Sequence, residues 1–258
     1  MAASNSDPYF MESLSRGLSV IRAFGGERPQ LSGADVAAIT GLSRAAARRC
    51  LHTLTVLGYA STANGLYELT PAVLTLGQAY LGSASLATVA QPVLERVSSQ
   101  LEEATAVAVL DGNDVVFVAR ASARRILVVE VSVGGRLPAA CTASGRVLLA
   151  SASEARRNRF LSRVKLTRHT PHTIVDRKQL RLELERVRSD GYAVIDQELE
   201  LGLRSMAVPI HRADGMAIAA INIGVQAGRV DLKTMQRDLL PVLKAAARDI
   251  SAMLVNRR

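Results

Sequence analysis

The sequence predicts an α+β protein of two folded parts: a cluster of short helices closed by a hairpin, then a region where strands alternate with helices. Three observations support this class. Apolar residues recur at helical spacing before residue 57, an Asn-Gly pair then separates two short β-prone runs, and longer β-prone runs appear beyond residue 103. A chain of 258 residues with 48% hydrophobic composition can bury two cores.

Three short helices are predicted at the start of the chain. The first covers residues 13–24, where leucine and isoleucine recur every three or four residues. The second begins at Ser32, three residues before Asp35 in a variant of the capping box, and ends at Gly41. Ser43 opens the third helix only two residues later, which predicts a helix, a tight turn and a helix.

The third helix separates into an apolar face and a basic face on a helical wheel. The apolar face is formed by Ala47, Cys50, Leu51, Leu54 and Leu57. The basic face is formed by Arg44, Arg48, Arg49 and His52, with no carboxylate among them. Such a face suits the negatively charged major groove of DNA, and a merely solvated basic surface is the alternative interpretation.

A hairpin is predicted directly after these helices. Residues 59–61 and 66–69 are β-prone and flank Asn64-Gly65, a strong turn signal. Three helices followed by a hairpin predict a winged helix-turn-helix domain over residues 1–70.

Helices continue beyond the hairpin. Thr70-Pro71 provides a cap and a first-turn proline for a helix that reaches Leu81. A second apolar-periodic stretch runs from residue 86 to 101, and Pro92 inside it predicts a kink or a restart. We expect a linker helix over residues 71–90 and a second domain over residues 91–258.

The C-terminal domain is predicted to contain a mainly antiparallel sheet. The predicted strands are 105–110, 115–121, 126–133, 192–196, 205–211 and 217–225. The predicted helices are 142–150, 154–161, 177–189 and 231–254.

Charge and cysteine content narrow the function classes. The net charge is +9, but residues 1–82 hold six Arg or Lys against five Asp or Glu, so bulk charge alone does not indicate DNA binding. Cys50 and Cys141 lie in unrelated contexts without a zinc or redox motif, and no signal peptide or bilayer-spanning run is present. We therefore expect an unprocessed cytoplasmic protein that contacts no membrane and binds no cofactor.

With these motifs in place, the chain resembles the IclR family of transcription regulators along nearly its whole length. The residues that carry the resemblance are Ser13 to Leu18, Tyr67 to Pro71, Gly135 to Pro138, Thr142 to Arg146, Asp190 to Ala193 with Asp196 and Glu198, Gly202 to Pro209, and Asn222. The resemblance implies DNA binding, dimers that often pair into tetramers, and a GAF-like effector domain.

Within that family, residues 43–49 with 51–54 resemble the branch that controls aromatic-acid breakdown through the β-ketoadipate pathway. This implies a small carboxylate effector such as protocatechuate, 4-hydroxybenzoate or β-ketoadipate. The wing departs from the branch because residues 61–65 include no basic side chain, which puts wing contacts to phosphate in doubt.

The candidate DNA contacts are the residues of the third helix that face away from its apolar side. They are Ser43, Arg44, Ala45, Arg48, Arg49 and His52. An arginine fork can read guanine with about 1–3 kcal/mol of discrimination, so an operator in double-stranded DNA is the expected partner.

The candidate effector site lies where a strand end runs into a helix start, over residues 138–145. A helix N-terminus offers unpaired N–H groups to a carboxylate, which points to Thr142, Ala143 and Ser144; an ordinary capped helix is the alternative. The resemblance adds Asp196, Ser205 and Asn222 to the site. Long arginines at the sheet edges, Arg120, Arg124, Arg125 and Arg136, could also pair with an acid.

Two other function classes compete. A hydrolase could use Cys141 as a nucleophile beside the helix N-terminus, with a base among His169, His172 and His211. A sensor could instead act through protein partners. His169 and His172 lack a nearby ligand set for a metal, and the basic run over residues 156–168 is expected to be surface.

Overall fold

The structure is a computed structural model that describes residues 7–25, 28–77, 85–122 and 131–255. Contacts divide the chain into two compact units, residues 1–83 and 84–258. None of the described helices is long and apolar enough to cross a bilayer.

The first unit packs three helices against a small sheet. The helices are α1 (Glu12–Ala23), α2 (Gly33–Thr40) and α3 (Arg44–Val56), and the strands are β1 (Gln30–Ser32), β2 (Ala60–Ala63) and β3 (Leu66–Leu69). The sheet order is β1-β3-β2, with both pairings antiparallel. Strand β1 is absent from the sequence prediction because three residues are too short for a periodicity.

Local hydrogen bonds set the predicted boundaries of this unit. Ser32 Oγ accepts from the Asp35 N–H at 3.2 Å while Asp35 accepts from the Ser32 N–H at 2.9 Å, so the capping box is complete. Ser43 Oγ caps α3 through the Ala46 N–H at 3.2 Å. The hairpin turns on Asn64 and Gly65, whose φ angles of 52° and 79° suit a tight two-residue turn.

The segment after the hairpin begins as predicted. Thr70 Oγ1 accepts from the Ala72 N–H at 3.3 Å, and a 3-10 turn over Pro71–Val73 leads into helical residues 74–77. The remainder of the predicted helix to residue 81 lies outside the described residues.

The second unit is a sheet between two helical layers. Strands β4 (Ala104–Asp111), β5 (Asp114–Ala121), β6 (Arg136–Pro138), β7 (Ala193–Asp196), β8 (Leu203–His211) and β9 (Ala217–Gln226) lie in the order β6-β5-β4-β9-β8-β7. Every pairing is antiparallel, which confirms the predicted fold class.

The two helical layers bury separate cores. One face of the sheet packs against α4 (Ser85–Leu101) and against α8, which runs as Leu232–Thr234, a π-helical stretch Met235–Leu239 and Leu240–Val255. The other face packs against α5 (Ala143–Ser151), α6 (Glu154–Arg163) and α7 (Arg177–Asp190).

Several details differ from the sequence prediction. Of the strand predicted over 126–133, residues 126–130 lie outside the described residues and 131–133 are not in a strand. Helix α4 continues through Pro92 without a restart, and its Val89 and Ala90 are buried in the second unit. Leu57 is 61% exposed because α3 has already ended there, and Arg157 is buried because its guanidinium donates to two carbonyls.

Candidate functional site

Helix α3 presents its basic residues to solvent. Ala47 and Leu51 are fully buried and anchor the helix to the first unit, whereas the candidate DNA contacts on the opposite side are exposed. Those exposed residues are Ser43, Arg44, Ala45, Arg48, Arg49 and His52. The alternation follows from the helical period, since the apolar and basic residues fall on opposite sides of one turn.

The three α3 guanidinium groups are not neutralised within the described parts of the chain. Neither an ion pair nor a hydrogen bond joins the guanidinium group of Arg44, Arg48 or Arg49 to another described residue. An exposed cation without a partner has no internal ion pair to break before it contacts phosphate or guanine.

The wing hairpin contributes no positive charge. Residues 61–65 carry none, and Glu68 on β3 accepts from Ser61 Oγ at 3.2 Å and from Gln30 Nε2 at 3.0 Å. The electrostatic attraction of this unit for DNA therefore resides mainly in α3.

A cavity of about 80 Å³ lies in the second unit between the sheet and the start of α5. Most of its lining is apolar, including Phe117, Leu137, Ile195 and Leu203. The polar lining residues are Thr105, Arg120, Cys141, Thr142, Ser144, Ser205 and Asn222.

Sheet register explains how distant residues meet at this cavity. Arg120 of β5 pairs with Ala106 of β4, which pairs with Asn222 of β9. Two residues further along β9, and therefore on the same face of the sheet, Gly224 pairs with Ser205 of β8. Neighbouring strands are about 4.8 Å apart, so Arg120 and Asn222 stand roughly 10 Å apart on one face, with small residues between them.

The start of α5 forms the opposite wall. Thr142 Oγ1 donates to the Pro138 carbonyl at 3.0 Å and accepts from the Gly145 N–H at 3.3 Å, which fixes the first turn. The N–H groups of Ala143 and Ser144 belong to that first turn and have no acceptor within the helix. A carboxylate in the cavity would meet these groups at the positive end of the helix dipole.

Two polar atoms of the lining are buried without a hydrogen bond to any described residue. They are Ser144 Oγ and Asn222 Oδ1, and Ser144 is 1% exposed. Buried polar atoms are normally satisfied, so a polar ligand or an ordered water could supply the missing hydrogen bonds here.

Cys141 lines the cavity as a protonated thiol. Burial, and to a lesser degree the negative charge of Glu198, raise its pKa to about 11, and the more weakly acting Arg146 opposes them. A thiol with this pKa is a poor nucleophile at neutral pH, so the geometry does not favour the hydrolase alternative.

Asp196 is placed differently from the other predicted effector residues. It is not among the residues that line the cavity, and its carboxylate accepts from Arg204 Nε at 2.7 Å. Burial raises the pKa of Asp196, but the hydrogen bonds from Arg204 and Gln197 outweigh this and lower the pKa overall. In this structure Asp196 therefore pairs with Arg204 at the end of β7, and its place in the effector site stays a prediction.

A buried ion pair behind the cavity was missed in the sequence. Arg146 is 1% exposed; its Nη2 lies 2.6 Å from Glu198 Oε2, and its Nε donates to the Ala140 carbonyl at 2.9 Å. Glu198 also accepts from the Ile174 N–H at 3.0 Å. These bonds hold the 139–141 turn and the 197–199 loop, which carry the lining residues Cys141 and Leu199.

The described residues contain no group of three or more His, Cys, Asp or Glu side chains that could hold a metal ion. His169 and His172 are exposed loop residues.

Comparison with known proteins decides the family. Residues 13–63 match the IclR helix-turn-helix domain, and residues 78–252 match the C-terminal domain of bacterial IclR transcriptional regulators. This chain belongs to the IclR family. The family resemblance seen in the sequence is thereby confirmed, and this IclR protein is a DNA-binding transcription regulator.

Three relatives place this IclR regulator more closely. The Pca regulon regulatory protein of Pseudomonas putida is 47% identical over 98% of this chain and 87% of its own length. A transcriptional regulator from Rhodococcus sp. RHA1 superposes with a TM-score of 0.84 at 45% identity, covering 95% and 98% of the two chains. An IclR homologue from Microbacterium hydrocarbonoxydans, solved with 4-hydroxybenzoate, has a TM-score of 0.80 at 30% identity, covering 94% and 98%.

Proposed function

We propose that this IclR regulator binds an operator through α3 and that an aromatic-acid effector in the cavity alters this binding. The observation that carries the proposal is the exposed, unpaired arginine face of α3 on a helix-turn-helix frame. The principal contacts to DNA are made by Arg44, Arg48 and Arg49. Further contacts to the DNA backbone or to base edges come from their neighbours Ser43, Ala45 and His52.

The effector half of the proposal rests on the cavity. A carboxylate binds at the N–H groups of Ala143 and Ser144, while Ser205 and Asn222 bond a second polar group of the ligand across the sheet. A relative holds 4-hydroxybenzoate, which supports a hydroxylated aromatic acid. Protocatechuate and β-ketoadipate are the further candidates, since both carry the required carboxylate.

The proposed oligomeric state follows from the short stretch of DNA that one recognition helix can contact. A single helix-turn-helix reads only a half-site, so a homodimer or homotetramer is proposed to supply the second half-site. Action through protein partners alone is disfavoured, because the family match covers the helix-turn-helix itself.

Substitution of one α3 arginine tests the DNA-binding proposal. Arg48→Ala should weaken binding to an operator selected from a random duplex library by about 1–3 kcal/mol, roughly 5-fold to 150-fold, with the fold unchanged. Arg22→Ala is the matched control, since Arg22 is also exposed but lies on α1. Unchanged operator affinity in Arg48→Ala, measured by fluorescence anisotropy, would remove Arg48 from the interface.

A further inference from the structure

The excess positive charge of the chain lies far from α3 in the sequence. Residues 154–190, which contain α6 and α7, carry eleven Arg or Lys and five Asp or Glu, a net of +6. Residues 1–82 carry six against five, a net of +1. Phosphate contacts supply most of the non-specific affinity of DNA-binding proteins, and the first unit has few cations to make them.

Helix α6 presents a row of unpaired arginines. Arg156, Arg159 and Arg163 recur at three and four residues on one face and are all exposed. No ion pair or hydrogen bond connects any of the three guanidinium groups to the residues that the structure describes.

Helix α7 extends this row, because two of its arginines bond to neutral groups of α6 and of Val164, the residue that follows α6. Arg177 donates to the carbonyls of Ser162 and Val164 at 3.0 and 3.1 Å. Arg181 Nη1 donates to Asn158 Oδ1 at 2.8 Å. These bonds join the two helices into one surface and leave both positive charges uncompensated.

The start of α7 is an unfavourable place for cations in an isolated helix. Arg177 and Lys178 occupy its first turn, where the helix dipole is positive and where acidic residues are normally preferred. A bound anion would reverse this repulsion. Of the acidic groups nearby, Glu183 and Asp190 are already paired with Arg186, and Asp176 caps the helix through the Gln179 N–H.

We propose that this basic face, formed by Arg156, Arg159, Arg163, Arg177, Lys178 and Arg181, contacts the phosphate backbone of DNA beyond the bases that α3 reads. The inference rests on the proposed DNA-binding function and adds a second contact surface to it. Guanidinium groups bond phosphate oxygens in a bidentate manner, and five of the six residues are arginines. DNA is favoured over an acidic protein because the bound duplex is a polyanion already held by the same chain.

Salt dependence of DNA binding tests the proposal. The variant Arg156→Gln, Arg159→Gln, Arg163→Gln removes three charges without removing a described side-chain bond. The control Lys233→Gln, Lys244→Gln, Arg248→Gln removes three exposed charges from α8. The full-length proteins are titrated against a random-sequence duplex several helical turns long, over a range of salt concentrations.

The expected result is a shallower salt dependence in the α6 variant alone. The slope of log K against log salt should fall by about 0.9 for each phosphate that an arginine no longer neutralises, or about 2.7 for all three. The control variant should keep the wild-type slope. Circular dichroism and sedimentation check that folding and oligomeric state are preserved.

The outcomes separate this inference from the proposed function. If the wild type binds the duplex and the α6 variant keeps the control slope, the basic face does not touch DNA, whereas the α3 assignment stands. Equal slopes with a changed sedimentation coefficient would assign the face to an interface between copies and overturn the proposal. If the wild type binds neither operator nor random duplex, the proposed function itself fails.

Discussion

Ser144 Oγ and Asn222 Oδ1 are the residue-scale feature that distinguishes this cavity from ordinary packing. Leaving a buried polar atom without a partner costs about 1–3 kcal/mol. Such a cost persists in a folded protein where a ligand recovers it, since binding then supplies the missing hydrogen bond. Ser144 of α5 and Asn222 of β9 both line the cavity, and we expect one ligand to contact both.

The Asn222→Ala variant should therefore bind its effector less tightly while the ligand-free protein becomes no less stable. We expect the Kd for 4-hydroxybenzoate to rise about tenfold, equivalent to about 1.4 kcal/mol. Calorimetry measures the Kd and urea unfolding measures the stability.

Thr105→Val is the matched control for this pair of measurements. Thr105 lines the same cavity, but its hydroxyl already donates to the Leu94 carbonyl at 3.1 Å. The Thr105→Val variant should lose about 1 kcal/mol of stability and keep its affinity for 4-hydroxybenzoate. An Asn222→Ala protein with wild-type affinity would exclude Asn222 as a ligand contact.

The close packing of α5 on the 139–141 turn is the decisive feature at the scale of elements. A Cβ atom added to Gly145 would lie 2.2 Å from the Ala139 carbonyl oxygen, and backbone cannot move aside as a flexible side chain can. Glycine here lets the first turn of α5 and the turn that carries Cys141 form one continuous cavity wall.

Replacing Gly145 with alanine should push the first turn of α5 away from the 139–141 turn. We expect Gly145→Ala to lose about 1–3 kcal/mol of stability from overpacking and to bind effector more weakly. Gly228→Ala is the control, because nothing lies within 4 Å of the Cβ position there. Thermal unfolding and calorimetry measure the two effects, and wild-type behaviour in both would show that the turn adjusts freely.

Coupling between the two units is the property of the whole molecule that regulation requires. An effector changes operator affinity only to the extent that it prefers one arrangement of the molecule. The linker region between the units is the proposed path, and predicted residues 71–90 overlap the boundary at residues 83 and 84.

Reciprocity provides a strict test of this coupling. If the effector changes operator affinity by some factor, the operator must change effector affinity by the same factor. We expect a change between about 5-fold and 150-fold, measured by anisotropy in one direction and calorimetry in the other. Equal operator affinity with and without a bound effector would contradict the regulatory scheme.

Most secondary structure could be predicted because its signals are local. The capping box at Ser32, the Asn64-Gly65 turn and the Asp176 cap of α7 each depend on residues within four positions of one another. Strand β1 escaped prediction and only the end of β6 was predicted, since three-residue strands exist only through their pairing with β3 and β5.

The sequence by itself determined the helix-turn-helix, the arginine face of α3 and the family, because helical periodicity and short motifs need no distant partner. Tertiary structure alone decided which residues share the cavity. Arg120, Asn222 and Ser205 lie on one sheet face at the cavity. Asp196 forms an ion pair with Arg204, and the buried Arg146 forms one with Glu198. Those relations depend on strand order, register and contacts between separate elements, which periodicity within one segment does not encode.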